Sequence, residues 1–214
     1  MRSTAIRCII LLGLLSGGSA LGLSPRTPSV AIVLDQPIDY VLQDLEVRGV
    51  FDAPAVTLRG EIKSVSIRNS RIGQVLAGPE GRAAAVGAQG ATVRRFTAVD
   101  CEFYDAENEL VSLARGSFGH VVFERCTFRT SESFLRQIVE RNPWRDSPPV
   151  AEFANIERLE LLDVEFDNAK VIIHPSVKQV ILRGDIRQIE VIDPGTQVIR
   201  LPAVQADETL AALG

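Results

Sequence analysis

The sequence predicts an all-β domain built from repeated short strands, with one helix in an inserted segment. Helical periodicity is nearly absent from residues 45–130 and 153–201. Short runs rich in β-branched and aromatic residues occur there instead, at 64–67, 95–98, 120–123, 158–161 and 179–182. Each run continues into a similar segment of six residues, and recurrence of this kind is typical of a repeat fold.

Four columns recur when these segments are aligned. The last position is a large apolar residue, and two residues earlier lies a compact one: Ile72, Phe103, Phe128, Phe166 and Ile186, with Ser70, Cys101, Cys126, Val164 and Gly184. Because side chains alternate between the two faces of a strand, both columns are predicted to point inward. An outward column alternates in charge, so stacked strands would bring opposite charges together: Asn69, Asp100, Arg125, Asp163 and Arg183. A polar column is predicted at a turn: Gln74, Asp105, Thr130, Asn168 and Gln188.

The spacing of the large apolar column favours a solenoid over a β-sandwich. The column recurs after about 20 residues from Phe51 to Ile72 and again from Phe166 to Ile186. A sandwich has no reason to repeat the same column at that interval. The longer gaps between the other members predict inserted loops, which a stacked repeat tolerates well.

The chain divides into four predicted segments. Residues 1–20 read as a signal peptide, because Arg2 and Arg7 precede an apolar run and small residues follow it at a cleavage site. Residues 21–44 are the N-terminal segment and cap, 45–201 the solenoid, and 202–214 a C-terminal tail or cap. We therefore expect an exported protein, periplasmic or secreted, with no membrane span in the mature chain.

Two insertions interrupt the predicted solenoid. Residues 73–92 are rich in glycine and alanine, which predicts a flexible loop. Residues 131–150 contain apolar positions at helical spacing over 132–141, with Ser131 or Ser133 as the N-cap. The second insertion is therefore expected to hold a short helix.

With these repeats the chain resembles the right-handed parallel β-helix superfold, the architecture of pectate lyases and of many secreted bacterial and phage proteins. The resemblance covers about residues 45–201 and rests on the repeat pattern. It implies a single-stranded right-handed parallel β-helix of about five to six short coils, with a short helix in an inserted loop. It implies no specific enzyme family, because the catalytic patterns of polygalacturonases and pectate lyases are missing from this sequence.

Two functions remain open on these grounds. The preferred one is a non-enzymatic scaffold or binding module for a polysaccharide or an envelope protein, with candidate binding residues on the outer surface: Trp144, Arg145, Arg125 and Arg129. The alternative is a small carbohydrate-active enzyme, a lyase or hydrolase, that uses carboxylates on an acidic outer face: Asp100, Glu102, Asp163 and Glu165. Solenoid ends also permit end-to-end self-association.

Several classes of partner and site are disfavoured. The net charge is −4 and no basic stripe occurs, so a nucleic-acid partner is not expected. No cofactor motif or metal-ligand spacing is present. Cys101 and Cys126 fall in one inward column on consecutive coils, close enough for a disulfide. We prefer two free stacked thiols, because neighbouring parallel strands rarely direct their Cβ atoms as a disulfide needs.

Overall fold

The computed structural model describes residues 31–78, 81, 83–143, 148–184, 186, 189–191 and 196–202. The predicted signal peptide at 1–20 and the chain beyond 202 lie outside these residues. The candidate binding residues Trp144 and Arg145 also lie outside them, as does Gln188 of the polar column.

The described residues form an all-β structure with three parallel sheets and one helix. Sheet A contains seven strands: β1 (Ile32–Leu34), β4 (Val56–Leu58), β7 (Ala84–Ala88), β10 (Glu109–Ser112), β13 (Val150–Phe153), β16 (Lys170–Ile173) and β18 (Ile189–Val191). Sheet B also contains seven: β2 (Asp39–Gln43), β5 (Glu61–Arg68), β8 (Thr92–Val99), β11 (Ser117–Glu124), β14 (Ile156–Leu162), β17 (Gln179–Arg183) and β19 (Gln197–Leu201). Sheet C contains five: β3 (Glu46–Val47), β6 (Arg71–Val75), β9 (Glu102–Ala106), β12 (Thr127–Arg129) and β15 (Glu165–Asp167).

From β1 to β15 the chain visits the sheets in the repeating order A, B, C, so three consecutive strands form one repeat. After β17 the described residues contain no sheet C strand, and the chain continues with β18 in sheet A and β19 in sheet B. Each strand pairs in parallel with its equivalent in the neighbouring repeat, as β8 does with β5 and β11. The inward side chains of all three sheets belong to one core cluster, which includes Phe153 of sheet A, Phe96 of sheet B and Phe103 of sheet C. Burying a ring of this kind stabilises the fold by about 1.5–3 kcal/mol.

The large apolar column is confirmed in its central part. Ile72, Phe103, Phe128 and Phe166 are successive in-register partners on β6, β9, β12 and β15. The rings of Phe103 and Phe128 stack with centroids 5.2 Å apart, and those of Phe128 and Phe166 stack at 4.9 Å. The strand spacing of a parallel sheet therefore places these side chains in one inward row.

The N-terminal end of the predicted column is wrong. Val47 pairs with Ile72, so Phe51 has no place in the row. Phe51 instead forms an isolated parallel bridge with Leu76 and is 57% exposed. The predicted alignment placed Phe51 where Val47 belongs. Apolar and polar residues alternate in this run, so the side-chain pattern alone does not fix the register.

The C-terminal end of the predicted alignment is out of register by one residue. Leu162 pairs with Arg183, so Arg183 is a strand residue and not the equivalent of Asp163. Gly184, with φ of 95°, takes the turn position instead. Ile186 is buried in the core, but it belongs to no strand among the described residues of sheet C.

Left-handed residues form the corner between sheets B and C. The column that contains them has φ values between 47° and 54°: Asp44, Asn69, Asp100, Arg125 and Asp163. Aspartate and asparagine adopt this conformation at lower cost than other non-glycine residues, which explains their recurrence here. Arg125 is the exception. Ion pairs of its side chain, described below, offset the cost of its left-handed backbone.

Two segments predicted to lie outside the sheets contain strands. β7 lies within the predicted loop 73–92, and all its residues are buried. Gly87 is required there because a Cβ atom would lie 2.7 Å from Cγ of Pro54. β1 and β2 lie within the predicted cap segment 21–44 and pair with β4 and β5. Small residues in this chain therefore mark tight packing as well as loops.

The predicted helix is present as α1 (Glu132–Arg141). Ser131 is its N-cap, and the Ser131 hydroxyl accepts a hydrogen bond from the backbone N–H of Phe134 at 3.3 Å. The backbone N–H of Ser131 donates to Asp105 at 2.7 Å, which ties the helix to β9 of sheet C. Within the described part of the chain, no helix is long and apolar enough to cross a membrane.

Candidate functional site

Sheet C and its corner with sheet B carry the charged residues singled out by the sequence. Arg71, Glu102, Thr127 and Glu165 are in-register partners on the outer side of successive strands. Four arginines and four carboxylates on sheet C, the corner and the end of β17 are called the charged face: Arg71, Arg125, Arg129, Arg183, Asp100, Glu102, Asp163 and Glu165. The strand spacing of about 4.8 Å sets the separation between neighbouring rows.

Glu102 lies at the centre of the charged face and is held by two arginines. Nε of Arg71 lies 2.6 Å from Oε2 of Glu102, and Nε of Arg129 lies 2.8 Å from Oε1. The Arg71 guanidinium also lies over the ring of Tyr104, 5.2 Å from its centroid. The hydrogen bond to Glu102 raises the pKa of Arg71 above its ordinary value. Both oxygens of the Glu102 carboxylate are therefore engaged.

The corner between sheets B and C carries a second set of ion pairs. Arg125 donates to Asp100 of the preceding repeat at 2.7 Å and 3.1 Å, and to Glu124 at 2.5 Å. Arg183 donates to Asp163 at 2.8 Å through Nε. The hydrogen bond from Arg125 lowers the pKa of the Asp100 carboxyl below its ordinary value. Arg125 and Arg183 are thus each paired with a carboxylate of the preceding repeat.

Three of the four candidate catalytic carboxylates are paired with arginine: Asp100, Glu102 and Asp163. A glycosidase needs one carboxyl group with a raised pKa to act as the acid, whereas Arg125 lowers the pKa of Asp100. Glu102 and Glu165 are separated by Thr127, hence by two strand spacings of about 4.8 Å. That separation is close to the carboxylate spacing of inverting enzymes, but the two arginines occupy both Glu102 oxygens.

Two of the four candidate binding residues lie on the charged face. The side chains of Arg125 and Arg129 are 50% and 46% exposed, so both guanidinium groups are accessible to a ligand. Trp144 and Arg145 are outside the described residues. The charged face offers guanidinium donors beside carboxylate acceptors.

The two cysteines are free and buried beneath the corner. Each thiol donates to backbone carbonyl groups, Cys101 to Val99 at 3.2 Å and Cys126 to Glu124 at 3.4 Å. The hydrogen bond with Cys101 and burial together raise the pKa of the Cys126 thiol well above its ordinary value. A buried thiol in this state packs as a small apolar group and is a poor nucleophile.

The two histidines are each paired with a glutamate. Nε2 of His120 lies 2.8 Å from Oε1 of Glu160, and Nε2 of His174 lies 2.8 Å from Oε1 of Glu152. In the part of the chain that the structure describes, no group of histidine, cysteine and acidic residues is arranged to hold a metal ion.

A cleft at the end of α1 was not predicted from the sequence. It has a volume of about 500 Å³ and lies at the corner between sheets C and A. Its lining includes one exposed ring and several polar groups: Phe51, Ala77, Glu107, Asn108, Arg141 and Asn142. Two of these residues lie just beyond sheet C strands, since Ala77 is two residues after the end of β6 and Glu107 is the residue after β9.

An ion pair between a buried glutamate and an exposed arginine, called the floor, lines this cleft. Glu107 is only 6% exposed, and its Oε2 atom lies 2.8 Å from Nη1 of Arg141. The backbone N–H of Ala77 donates to the same oxygen at 2.9 Å, and Nη2 of Arg141 donates to the Ala77 carbonyl at 2.9 Å. Arg141 therefore anchors the end of α1 to two repeats. The amphipathic pattern of 132–141 was the only available signal, because the partners are 34 and 64 residues away in the chain.

No family model, no curated protein and no solved structure matches this chain.

Proposed function

We propose that this chain is an exported, non-enzymatic binding protein that holds a polysaccharide along the charged face of a right-handed parallel β-helix. The closed β-helix is supported by the repeating order of the three sheets and by their common core. Right-handedness is supported by the strong preference of parallel crossover connections for that hand. Export to the periplasm or the exterior is supported by the basic, apolar and small-residue pattern of residues 1–20.

The observation that carries the binding proposal is the pairing of every arginine on the charged face with a carboxylate. Arg71 and Arg129 bind Glu102, Arg125 binds Asp100, and Arg183 binds Asp163. Paired groups hold their hydrogen-bonding atoms in fixed positions, which lowers the cost of ordering them when a ligand binds. Because the charges offset one another, a neutral polymer with many hydroxyl groups suits this surface better than a strongly charged one.

The same pairing favours binding over hydrolysis. A hydrolase would need a carboxyl group that carries a proton at the working pH, and that group would need an apolar environment or a neighbouring negative charge. Asp100, Glu102 and Asp163 instead each contact a guanidinium group. The geometry thus supports a surface that retains its ligand unchanged.

The proposal is tested by combining a binding assay with an assay of bond cleavage. Purified protein is applied to an array of neutral envelope and extracellular polysaccharides, together with the variants Arg129→Ala and Arg59→Ala. Arg59 is the matched control, because it lies between β4 and β5 and bonds to Gln89 away from the charged face. We expect binding that Arg129→Ala weakens at least fivefold and Arg59→Ala leaves within twofold.

Cleavage is followed by the release of reducing sugar ends from each polysaccharide that binds. We expect no release above the background of a heat-denatured sample. Release that disappears in Glu102→Gln or Glu165→Gln would instead make the protein a carbohydrate-active enzyme and would overturn the proposal.

A further inference from the structure

We infer that the cleft at the end of α1 is a sugar-binding subsite, which receives one neutral sugar unit of the polysaccharide against the ring of Phe51. The inference rests on the proposed function and extends it, since the cleft borders the charged face. Ala77 and Glu107 in the cleft follow the same strands, β6 and β9, that carry Arg71 and Glu102. A polysaccharide that lies on sheet C along the direction of these strands would therefore reach the cleft at their carboxyl ends.

Phe51 offers an apolar surface in a fixed position. Its side chain is 57% exposed although its residue type is usually buried. The backbone around it is held by parallel pairing with the next repeat, because Leu76 donates to Val50 at 3.1 Å and Asp52 donates to Leu76 at 2.9 Å. An exposed aromatic ring on rigid backbone is suited to the apolar C–H face of a sugar, and aromatic linings are usual in small-ligand sites.

The cleft lining also includes polar groups of the kind that bind hydroxyl groups. Asn108 follows β9, and its amide nitrogen donates to the Gly81 carbonyl at 2.5 Å, which fixes the orientation of the amide. Asn142 is the C-cap of α1 and is exposed at the cleft. An amide group both donates and accepts, so it matches a hydroxyl group, which also does both.

The floor of the cleft favours a neutral ligand. The carboxylate of Glu107 receives a charged hydrogen bond from Arg141 and a backbone hydrogen bond from Ala77. These bonds offset the negative charge, so neither an anion nor a cation gains a strong net attraction. An uncharged ligand with an apolar face and polar edges fits the combination of Phe51 and the two asparagines.

The size of the cleft fits a small unit of a longer chain. Its volume of about 500 Å³ lies within the usual range for small-ligand sites of roughly 300–1,000 Å³. A protein partner would need a contact of about 800 Å² on each side, which is a larger surface than this cleft. The open shape allows the rest of a polysaccharide to continue onto sheet C.

The test is a titration of the full chain with a panel of neutral oligosaccharides built from glucose, mannose, galactose and N-acetylglucosamine. Binding is followed by intrinsic fluorescence, because the chain has one tryptophan, Trp144, two residues after Asn142. Phe51→Ala removes the ring and Asn142→Ala removes one amide. Val41→Ala is the matched control, since Val41 is an apolar residue of the same repeat, is 59% exposed and lies on sheet B.

We expect Phe51→Ala to weaken the affinity at least tenfold, Asn142→Ala to weaken it about threefold, and Val41→Ala to change it by less than twofold. Circular dichroism verifies that each variant keeps the fold of the parent. An affinity of Phe51→Ala equal to that of the parent would overturn the subsite.

Comparison with Arg129→Ala separates this inference from the proposed function. If the parent binds no oligosaccharide of the panel, both the proposed function and the subsite are overturned. Binding that is weakened by Arg129→Ala but not by Phe51→Ala would overturn the subsite and leave the charged face as the binding surface. Binding that is weakened only by Phe51→Ala would support the cleft and contradict the role of the charged face.

Discussion

Arg125 donates two hydrogen bonds to Asp100 of the preceding repeat, from Nε to Oδ1 at 2.7 Å and from Nη2 to Oδ2 at 3.1 Å. Both residues occupy left-handed turn positions, with φ of 49° and 54°. Arg125 has a backbone conformation that is unfavourable for arginine. The in-register stacking of the corner places its side chain beside Asp100, which has the opposite charge. The contact links the turn geometry of the fold to the electrostatics of the charged face.

This pair makes stability depend on pH in a defined direction. Arg125 lowers the pKa of Asp100 in the folded state, so the carboxylate stabilises the fold above its ordinary pKa. The stabilisation is lost as pH falls through the lowered folded pKa. We expect Asp100→Asn to be less stable than the parent at pH 7 and to approach the parent near pH 2. Urea unfolding midpoints at the two pH values measure the difference.

Glu165→Gln is the control for that experiment, because it removes one negative charge from the same face while all the ion pairs described above remain. A difference between the parent and Asp100→Asn that stays constant from pH 7 to pH 2 would show that the Arg125 contact does not contribute in this way.

The ring of Phe123 contacts aromatic rings that belong to all three sheets. It lies 5.6 Å from the ring centroids of Phe96 and Phe153, 5.8 Å from that of Phe103 and 5.3 Å from that of Phe128. Phe123→Ala would leave a cavity in this cluster, and we expect it to lower the free energy of unfolding by about 3–5 kcal/mol. Chemical denaturation measures this value.

Phe51→Ala is the matched control for the same substitution at an exposed ring. We expect a change of no more than about 0.5 kcal/mol, because surface substitutions of this kind have small effects. Equal losses of stability in the two variants would contradict the described core.

The sequence predicts the central repeats well because they share long strands and clear alternation. Phe103, Phe128 and Phe166 follow three aligned segments in which the apolar and polar positions agree, and the structure pairs them in register. The corner column was predicted as an outward column of alternating charge, and its left-handed backbone was not predicted, although Asn69, Asp100 and Asp163 are of residue types that tolerate it.

The terminal repeats and sheet A were not predictable in the same way. Phe51 and Ile186 fit the expected spacing, but a shift of one to several residues gives an equally apolar pattern, and only strand pairing fixes the frame. β7 consists of alanine, valine and glycine buried throughout, so neither alternation nor bulk marks it as a strand. The Glu107–Arg141 pair was missed because a contact over 34 residues leaves no local pattern.

Arg141 is expected to be the anchor that holds α1 against the corner. Arg141→Met would leave the buried Glu107 carboxylate without its charged partner, and we expect a loss of about 1–3 kcal/mol of stability. In a double-mutant cycle with Glu107→Gln, the coupling energy should be at least about 0.5 kcal/mol. Additive losses in the cycle would show that the contact does not hold the helix.

Arg200 lies at the C-terminal edge of the described part of sheet B, where we expect it to oppose end-to-end association. Arg200 pairs with Leu182, which is 2% exposed and belongs to an inward row of apolar residues on sheet B. Arg200 is therefore a charged residue at the end of that row. Inward-pointing charges at a sheet edge discourage pairing with another molecule. We therefore expect the parent to sediment as a monomer and Arg200→Leu to associate as concentration rises. Association of the parent equal to that of Arg200→Leu would contradict this role.

The in-register order of the strands in sheet B is the central feature of the fold. Asp39, His120, Arg158 and Gln197 belong to one row, on β2, β11, β14 and β19. Spin labels placed at pairs of these positions, in a chain whose native cysteines are replaced by alanine, report their separation by pulsed electron paramagnetic resonance.

A parallel sheet with about 4.8 Å between strands predicts backbone separations of roughly 19 Å from Asp39 to Arg158 and roughly 29 Å from Asp39 to Gln197. The label pairs should therefore show two narrow distributions whose means differ by about two strand spacings. Equal mean distances, or a shorter distance to Gln197 than to Arg158, would contradict the stacked order of the strands.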